Sequence, residues 1–171
     1  STMLKKFNYL FDSSSGNAID LNAKKSIDID ISEQIMRVKL GDYVVRKFLV
    51  STGTTKNPTP FGNYKILQKQ QWRIGGKTPH YIMPKWQAWR PDGYGIHSLP
   101  SLGSAALRAR IRTLGPDTPV PTEWFKSDGF WTEANDHIGS RRSHGCVRLL
   151  PEDSDFDYDY TEVGTEIVTH E

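Results

Sequence analysis

Residues 143–149 read Ser143-His144-Gly145-Cys146-Val147-Arg148-Leu149 and hold the one cysteine in 171 residues. A lone cysteine has no internal disulfide partner. Cys146 is therefore either a small buried hydrophobe or a working thiol. Arg141, Arg142 and Arg148 lie within five positions of it, and His144 lies two away. Positive charge beside a thiol favours the thiolate, which is the nucleophilic form. Gly145 lets the backbone approach a ligand closely. It also leaves the Gly145 and Cys146 amides free to face a developing oxyanion. A nucleophile, cations and amide donors in one heptapeptide point to covalent chemistry, with inert packing as the alternative.

The rest of the chain sets bounds on that reading. Its length suits one domain with a substantial core. With 36% hydrophobic and 25% charged residues it has the composition of a folded globular protein. A net charge of +2 gives no argument for a nucleic-acid partner. No apolar run approaches the roughly 20 residues needed to span a bilayer, and no secretory signal is visible. One cysteine suits a reducing or an oxidising compartment equally.

Upstream, residues 1–26 are polar, with a Ser13-Ser14-Ser15-Gly16 turn tract, and read as an N-terminal arm, hairpin or linker. The domain proper is expected over 27–171. Ile27-Asp28-Ile29-Asp30-Ile31 alternates with period two, the mark of a half-buried strand. Ile35 to Leu40 alternates likewise, Gly41-Asp42 turns the chain, and Tyr43 to Val50 returns, giving a β-meander. Asp28 and Asp30 read as a solvated strand face, not metal ligands. Ser51-Thr52-Gly53 and Pro58-Thr59-Pro60-Phe61-Gly62 form rigid turns before a strand at Tyr64 to Leu67. Gln70 to Tyr94 is rich in aromatic residues and glycine, more in keeping with a core than with a binding surface.

Three histidines are candidate bases. His97 ends a Gly95-Ile96-His97-Ser98 strand 49 positions before Cys146, His137 lies nine positions before it, and His144 lies inside the heptapeptide. Between His97 and His137 the spacing of Leu107, Ile111 and Leu114 predicts a helix capped by Ser104 and ended by Gly115. Residues 116–131 read as an irregular loop whose aromatic residues pack beside the site as a lid or wall. After Cys146, the alternating Asp153, Asp155, Asp157 and Asp159 lack the glycine and glutamate of a calcium loop and read as acidic surface.

Ser143-His144-Gly145-Cys146-Val147-Arg148, with Gly139 upstream and the Ile96-His97 strand end, resembles the signature of the L,D-transpeptidase (YkuD-type) family. The Ser51-Thr52-Gly53 and Thr59-Pro60-Phe61-Gly62 words and a closing strand at Val163 to Val168 agree with it, so the likeness spans about Ile27 to Thr169. It implies a mostly β fold of mixed sheets, sandwich-like, with a few short helices. The interval of about 98–137 is longer than is common in the family and reads as an insertion. Pro151 would open a helix after the signature.

The resemblance makes Cys146 the nucleophile and His97 the base, with Met83 and Trp86 lining the donor pocket. The carbonyl of Ser98 would orient the imidazole. His144 and Gly145 join the orienting or oxyanion group. Ser143 and Arg148 are placed with substrate-binding positions, Arg148 as a brace for the loop or a receptor for a substrate carboxylate, since a guanidinium stays protonated. The implied donor is a peptidoglycan tetrapeptide stem and the implied product a 3→3 cross-link. The resemblance also implies no metal or other cofactor, carbapenems as inhibitors, and a place in the cell envelope, periplasmic or extracytoplasmic, with any signal or anchor outside these residues. Rival readings are an L,D-carboxypeptidase, a non-catalytic cell-wall binding module, and a zinc hydrolase using His97, His137, His144 and Cys146.

Overall fold

The computed structural model describes the backbone of residues 3–6, 9–12 and 15–171, and the side chains of 15–171. Near the N-terminus, β1 (Met3–Lys6), β2 (Tyr9–Asp12) and β3 (Ala18–Asp20) form an antiparallel three-stranded sheet. Ser13 and Ser14 of the expected turn tract lie outside the described residues.

The expected meander is β4 (Lys25–Asp30), β5 (Ile35–Leu40) and β6 (Tyr43–Leu49). Ile27 and Ile29 are fully buried, as are Met36 and Val38 across the ladder, because alternation gives each strand one apolar face. Two later strands complete this sheet: β7 (Gly62–Lys65) and β12 (Glu166–His170). The order β6-β5-β4-β12-β7 is mixed, since β12 runs parallel to β4 and antiparallel to β7. Both late strands are displaced from their sequence expectations. Ile66 leaves the β7 ladder to donate to the carbonyl of Thr165. A turn closed by Thr165 N to Glu162 O, with Gly164 at φ +94°, postpones β12.

The aromatic stretch forms a hairpin, β8 (Gln68–Ile74) and β9 (Ile82–Ala88), which pairs with β10 (Gly95–Ser98) and then β11 (Val147–Leu149). β9–β10 is antiparallel and β10–β11 parallel, so this sheet is mixed as well. Ile29, Val38, Ile96, Val147, Leu149 and Ile167 meet in one core between the two sheets, which makes the domain sandwich-like. Reciprocal bonds between Ser51 and Arg148, at 3.0 and 2.9 Å, stitch the sheets together at the signature.

Three short helices complete the fold. Helix α1 (Ala105–Arg112) has Ser104 as N-cap, its hydroxyl accepting from Leu107 N, as the sequence predicts. Residues 122–125 form a 3₁₀ turn, and Gly129–His137 form α2, where the sequence suggested an irregular loop up to 131. The missed signal was Asp128. One carboxylate oxygen caps α2 by accepting from Trp131 N at 3.0 Å, and the other accepts from Ser101 Oγ and Gly103 N at 2.5 and 2.7 Å. Ile111, Val120 and Phe125 build a second core with Ile82 of β9. Residues 105–137 are thus chiefly a buttress behind the hairpin, not a lid.

Helix α3 (Pro151–Tyr160) opens on Pro151. Its Asp157 is not acidic surface: it is 1% exposed, with Oδ1 lacking a hydrogen-bond partner. Burial pushes its carboxyl up to about 7, with Lys69 and Thr161 pulling less strongly the other way. The unfolded chain releases this proton near the ordinary pKa of 3.8 while the folded chain keeps it, so stability falls as pH rises from about 4 to 7. Asp157→Asn should flatten that fall and raise the stability at pH 7.5 by at most about 4 kcal/mol, at about 1.36 kcal/mol per pH unit, and the melting temperature with it. Thermal melts of both proteins between pH 4 and 8 measure it, and equal slopes would refute it.

Candidate active site

The parallel pairing of β10 and β11 sets Ile96 beside Val147 and His97 beside Arg148. Alternation sends Ile96, Val147 and Leu149 into the core and turns His97, Arg148 and Cys146 to the opposite face. There all three line a cleft of about 570 Å³. Met83, Trp86, Ser143 and His144 line the same cleft. Met83 and Trp86 are three residues apart, which in a regular strand puts them on opposite faces. Lys85 at φ +54° breaks the alternation and brings both to the cleft.

His97 is 2% exposed, its ring stacked on Trp86 with centroids 5.8 Å apart. Gly95 makes that stacking possible, because a Cβ there would sit 2.6 Å from the indole. Nδ1 of His97 lies 2.6 Å from the carbonyl oxygen of Ser98. A carbonyl only accepts, so Nδ1 carries the proton and Nε2 keeps its lone pair. Burial, and then the charge of Arg148, hold the imidazole down at about 3, against the pull of Ser98. It is neutral throughout the physiological range, a base in waiting.

Cys146 is half-buried, and its Sγ faces the carbonyl of Gly93 at 3.8 Å. Among the described residues no hydrogen bond joins it to His97. Burial pushes the thiol above its ordinary range, outweighing the amide of Gly95 and the charges of Arg148 and Arg73. The sequence expectation of a thiolate drawn out by neighbouring arginines is corrected here. Arg141 reaches Glu171 at 3.6 Å, Arg142 is exposed, and burial outweighs the two charges that reach the sulfur. Alkylation of Cys146 by iodoacetamide should therefore keep accelerating as pH rises past 9. A plateau already reached by pH 7 would show a thiolate–imidazolium pair instead.

The heptapeptide loop is tightly held. Ser143 Oγ donates to Cys146 O at 2.5 Å and accepts from Gly145 N at 3.1 Å. Two sequence expectations change accordingly. The Gly145 amide is engaged, not free for an oxyanion. The Ser143 hydroxyl, buried and committed to backbone, closes the turn. Thr59 Oγ1 donates to Gly145 O at 2.8 Å and accepts from Gly53 N at 2.9 Å, so the Ser-Thr-Gly and Thr-Pro words brace the loop. Gly145 has φ +124°, and a Cβ there would meet the ring of Tyr94 at 2.4 Å. Thr59 belongs to a word the sequence marked as scaffold, whereas no local pattern announced the supporting roles of Tyr94 and Gly95.

Arg148 is 5% exposed with Nε unpartnered, its guanidinium 5.8 Å from the Phe130 ring. Phe130 in turn stacks at 5.3 Å on Tyr81, which lines the cleft. His144 is exposed at the rim. His137 ends α2 with Nε2 3.5 Å from Glu133 and is not a cleft-lining residue. Among the described residues no group of three or more His, Cys, Asp and Glu side chains is placed to hold a metal.

A family model described as the L,D-transpeptidase catalytic domain matches residues 24–169. Among curated proteins none matches the sequence. Solved structures similar to this fold include an L,D-transpeptidase from Mycobacterium smegmatis, at 20% identity and a TM-score of 0.60 over 95% of this chain and 66% of that one. An L,D-transpeptidase from Mycobacterium tuberculosis H37Rv is similar at 18% identity and a TM-score of 0.61, over 95% and 65%. An LD transpeptidase in complex with imipenem aligns at 17% identity and a TM-score of 0.59, over 95% and 66%. The chain thus spans just under two thirds of the length of these structures.

Proposed function

This chain belongs to the L,D-transpeptidase catalytic domain family, and from that premise we propose that it forms 3→3 peptidoglycan cross-links through a Cys146 thioester. The observation that supports the reading best is the placement of Cys146 and His97 on one face of adjacent parallel strands, in one cleft. A side-chain rotation turns Sγ from Gly93 toward the imidazole. As sulfur attacks the donor carbonyl, its proton passes to Nε2 of His97, which starts neutral and therefore free to take it. The Cys146 amide faces the oxyanion. The tetrahedral intermediate collapses, and His97 returns the proton to the departing amine of D-Ala at stem position four. An acceptor amine then attacks the thioester, losing its proton to His97, and the thiol is restored.

Arg148 is the receptor for a donor carboxylate in this reading. A buried guanidinium that forms no ion pair among the described residues gains most from a planar anion that satisfies its donors. Filling that site also offsets the charge that depresses His97, so donor binding strengthens the base. Met83 and Trp86 bound the donor pocket. The work is placed in the cell envelope, where stem peptides are. One structural relative solved in complex with imipenem supports β-lactams of the carbapenem class as inhibitors.

Intact-mass spectrometry tests the proposal. Incubation with a disaccharide-tetrapeptide should give an acyl adduct short of D-Ala, and a carbapenem should add its whole mass. Both adducts should be absent from Cys146→Ser. Adducts on that variant equal to those on the parent would end the reading. Product analysis without an added amine separates water as acceptor, the L,D-carboxypeptidase alternative, from transfer.

A further inference from the structure

Arg148 is not the only cation at the cleft. Arg73, on β8 opposite Met83, lines the same cleft with its guanidinium carbon 5.3 Å from the Trp86 ring. A guanidinium set against an aromatic ring keeps its N–H donors for other partners. Among the described residues no carboxylate pairs with it. The acidic side chain nearest at hand, Asp92 of the same cleft, is held by Arg90 through two bonds of 2.9 and 2.7 Å. The cleft therefore offers two separate sites to anions, on strands at opposite edges of the four-stranded sheet.

The two sites differ in what they reach. Arg148 lies on the floor beside Tyr81 and Phe130. Arg73, Trp86 and Gly93 are shared with a second cavity of about 460 Å³ that runs on past Leu67, Ala88 and Pro91. The carbonyl of Gly93 is the group that Cys146 Sγ faces. A donor anchored on Arg148 leaves this second approach open.

We propose that Arg73 sets acceptor specificity by binding a free carboxylate on the carbon that bears the attacking amine. The inference rests on the acyl-transfer reading above. An amine of that kind carries its anion two bonds from the nitrogen, so a cation beside the route fixes both. The positive charge also disfavours the ammonium form and so favours the free amine that attacks. In the step, the amine nitrogen bonds to the thioester carbon, the carbon–sulfur bond breaks, and the amine proton passes by way of His97 to the departing sulfur. An acceptor with a carboxamide in place of the carboxylate loses this anchor.

The test compares two acceptor peptides, identical except for carboxylate or carboxamide beside the amine. Aminolysis of the preformed acyl-enzyme should favour the carboxylate about tenfold through KM, and Arg73→Gln should erase that preference, read as the ratio of the two acceptors on the same acyl-enzyme so that any change in acylation cancels. Arg73→Lys should restore part of it. Calorimetric binding of both peptides to Cys146→Ala gives a second reading that needs no turnover, again with a preference lost on Arg73→Gln. An unchanged preference in Arg73→Gln, or equal use of both acceptors by the parent protein, overturns the assignment. An Arg73-dependent binding preference without any acyl-enzyme would instead overturn the acyl-transfer reading and leave the carboxylate site standing.

Discussion

Cys146→Ser lowers cross-linking turnover at least about ten-thousand-fold, the scale on which nucleophile removal acts in a catalytic unit of this kind. The serine oxygen fits the space, but a neutral hydroxyl needs a stronger base than the depressed imidazole of His97, held at about 3, to become a nucleophile. His97→Gln keeps a polar side chain in the pocket and loses the proton acceptor, costing about a hundred- to ten-thousand-fold. The double variant should be scarcely worse than Cys146→Ser alone, because the two groups act in one step. Single-turnover acylation of purified, folded variants measures all three. Near-parental acylation by His97→Gln would show that another group takes the proton.

Gly145→Ala should be severely damaging although it removes no chemistry. Two independent penalties meet there. The backbone sits at φ +124°, which an L side chain rarely adopts, and the new Cβ would lie 2.4 Å from Tyr94. The strained conformation alone costs about 1–3 kcal/mol, and the ring cannot yield freely because Tyr94 also packs on Trp89 with centroids 5.6 Å apart. Relief by moving the loop disturbs the Thr59 and Ser143 bonds that hold Cys146 in place. A displacement of about 1 Å at the nucleophile is enough for a hundredfold loss in rate. Thermal melts and carbapenem acylation rates should fall together. Adding Tyr94→Leu should recover stability in part, by making room, without recovering the rate. A Gly145→Ala protein that acylates at the parental rate would show that the loop geometry is dispensable.

What could be read early was local. The alternation of Ile27 to Ile31 named a half-buried strand because side chains on a strand repeat every two residues. Ser104 and the 107–111–114 spacing named α1 because caps and helical stripes are short-range. The heptapeptide around Cys146 carried the family likeness because a nucleophile and the turn that holds it occupy consecutive positions. Asp157 shows the limit of such reading. In a run of alternating aspartates nothing distinguishes the one that α3 turns inward.

The sequence by itself determined the strands of the meander, the family and the one residue proposed here as nucleophile. Only the tertiary structure decided that His97 and Cys146, 49 positions apart, share one face, because that depends on the parallel register of β10 and β11. It alone decided that the thiol is raised and not lowered, since burial sums over every element around the sulfur while nearby arginines in the chain can point elsewhere. It alone brought Arg73 and Arg148 to one cleft, because charge in a cleft is assembled from strands that the chain keeps far apart.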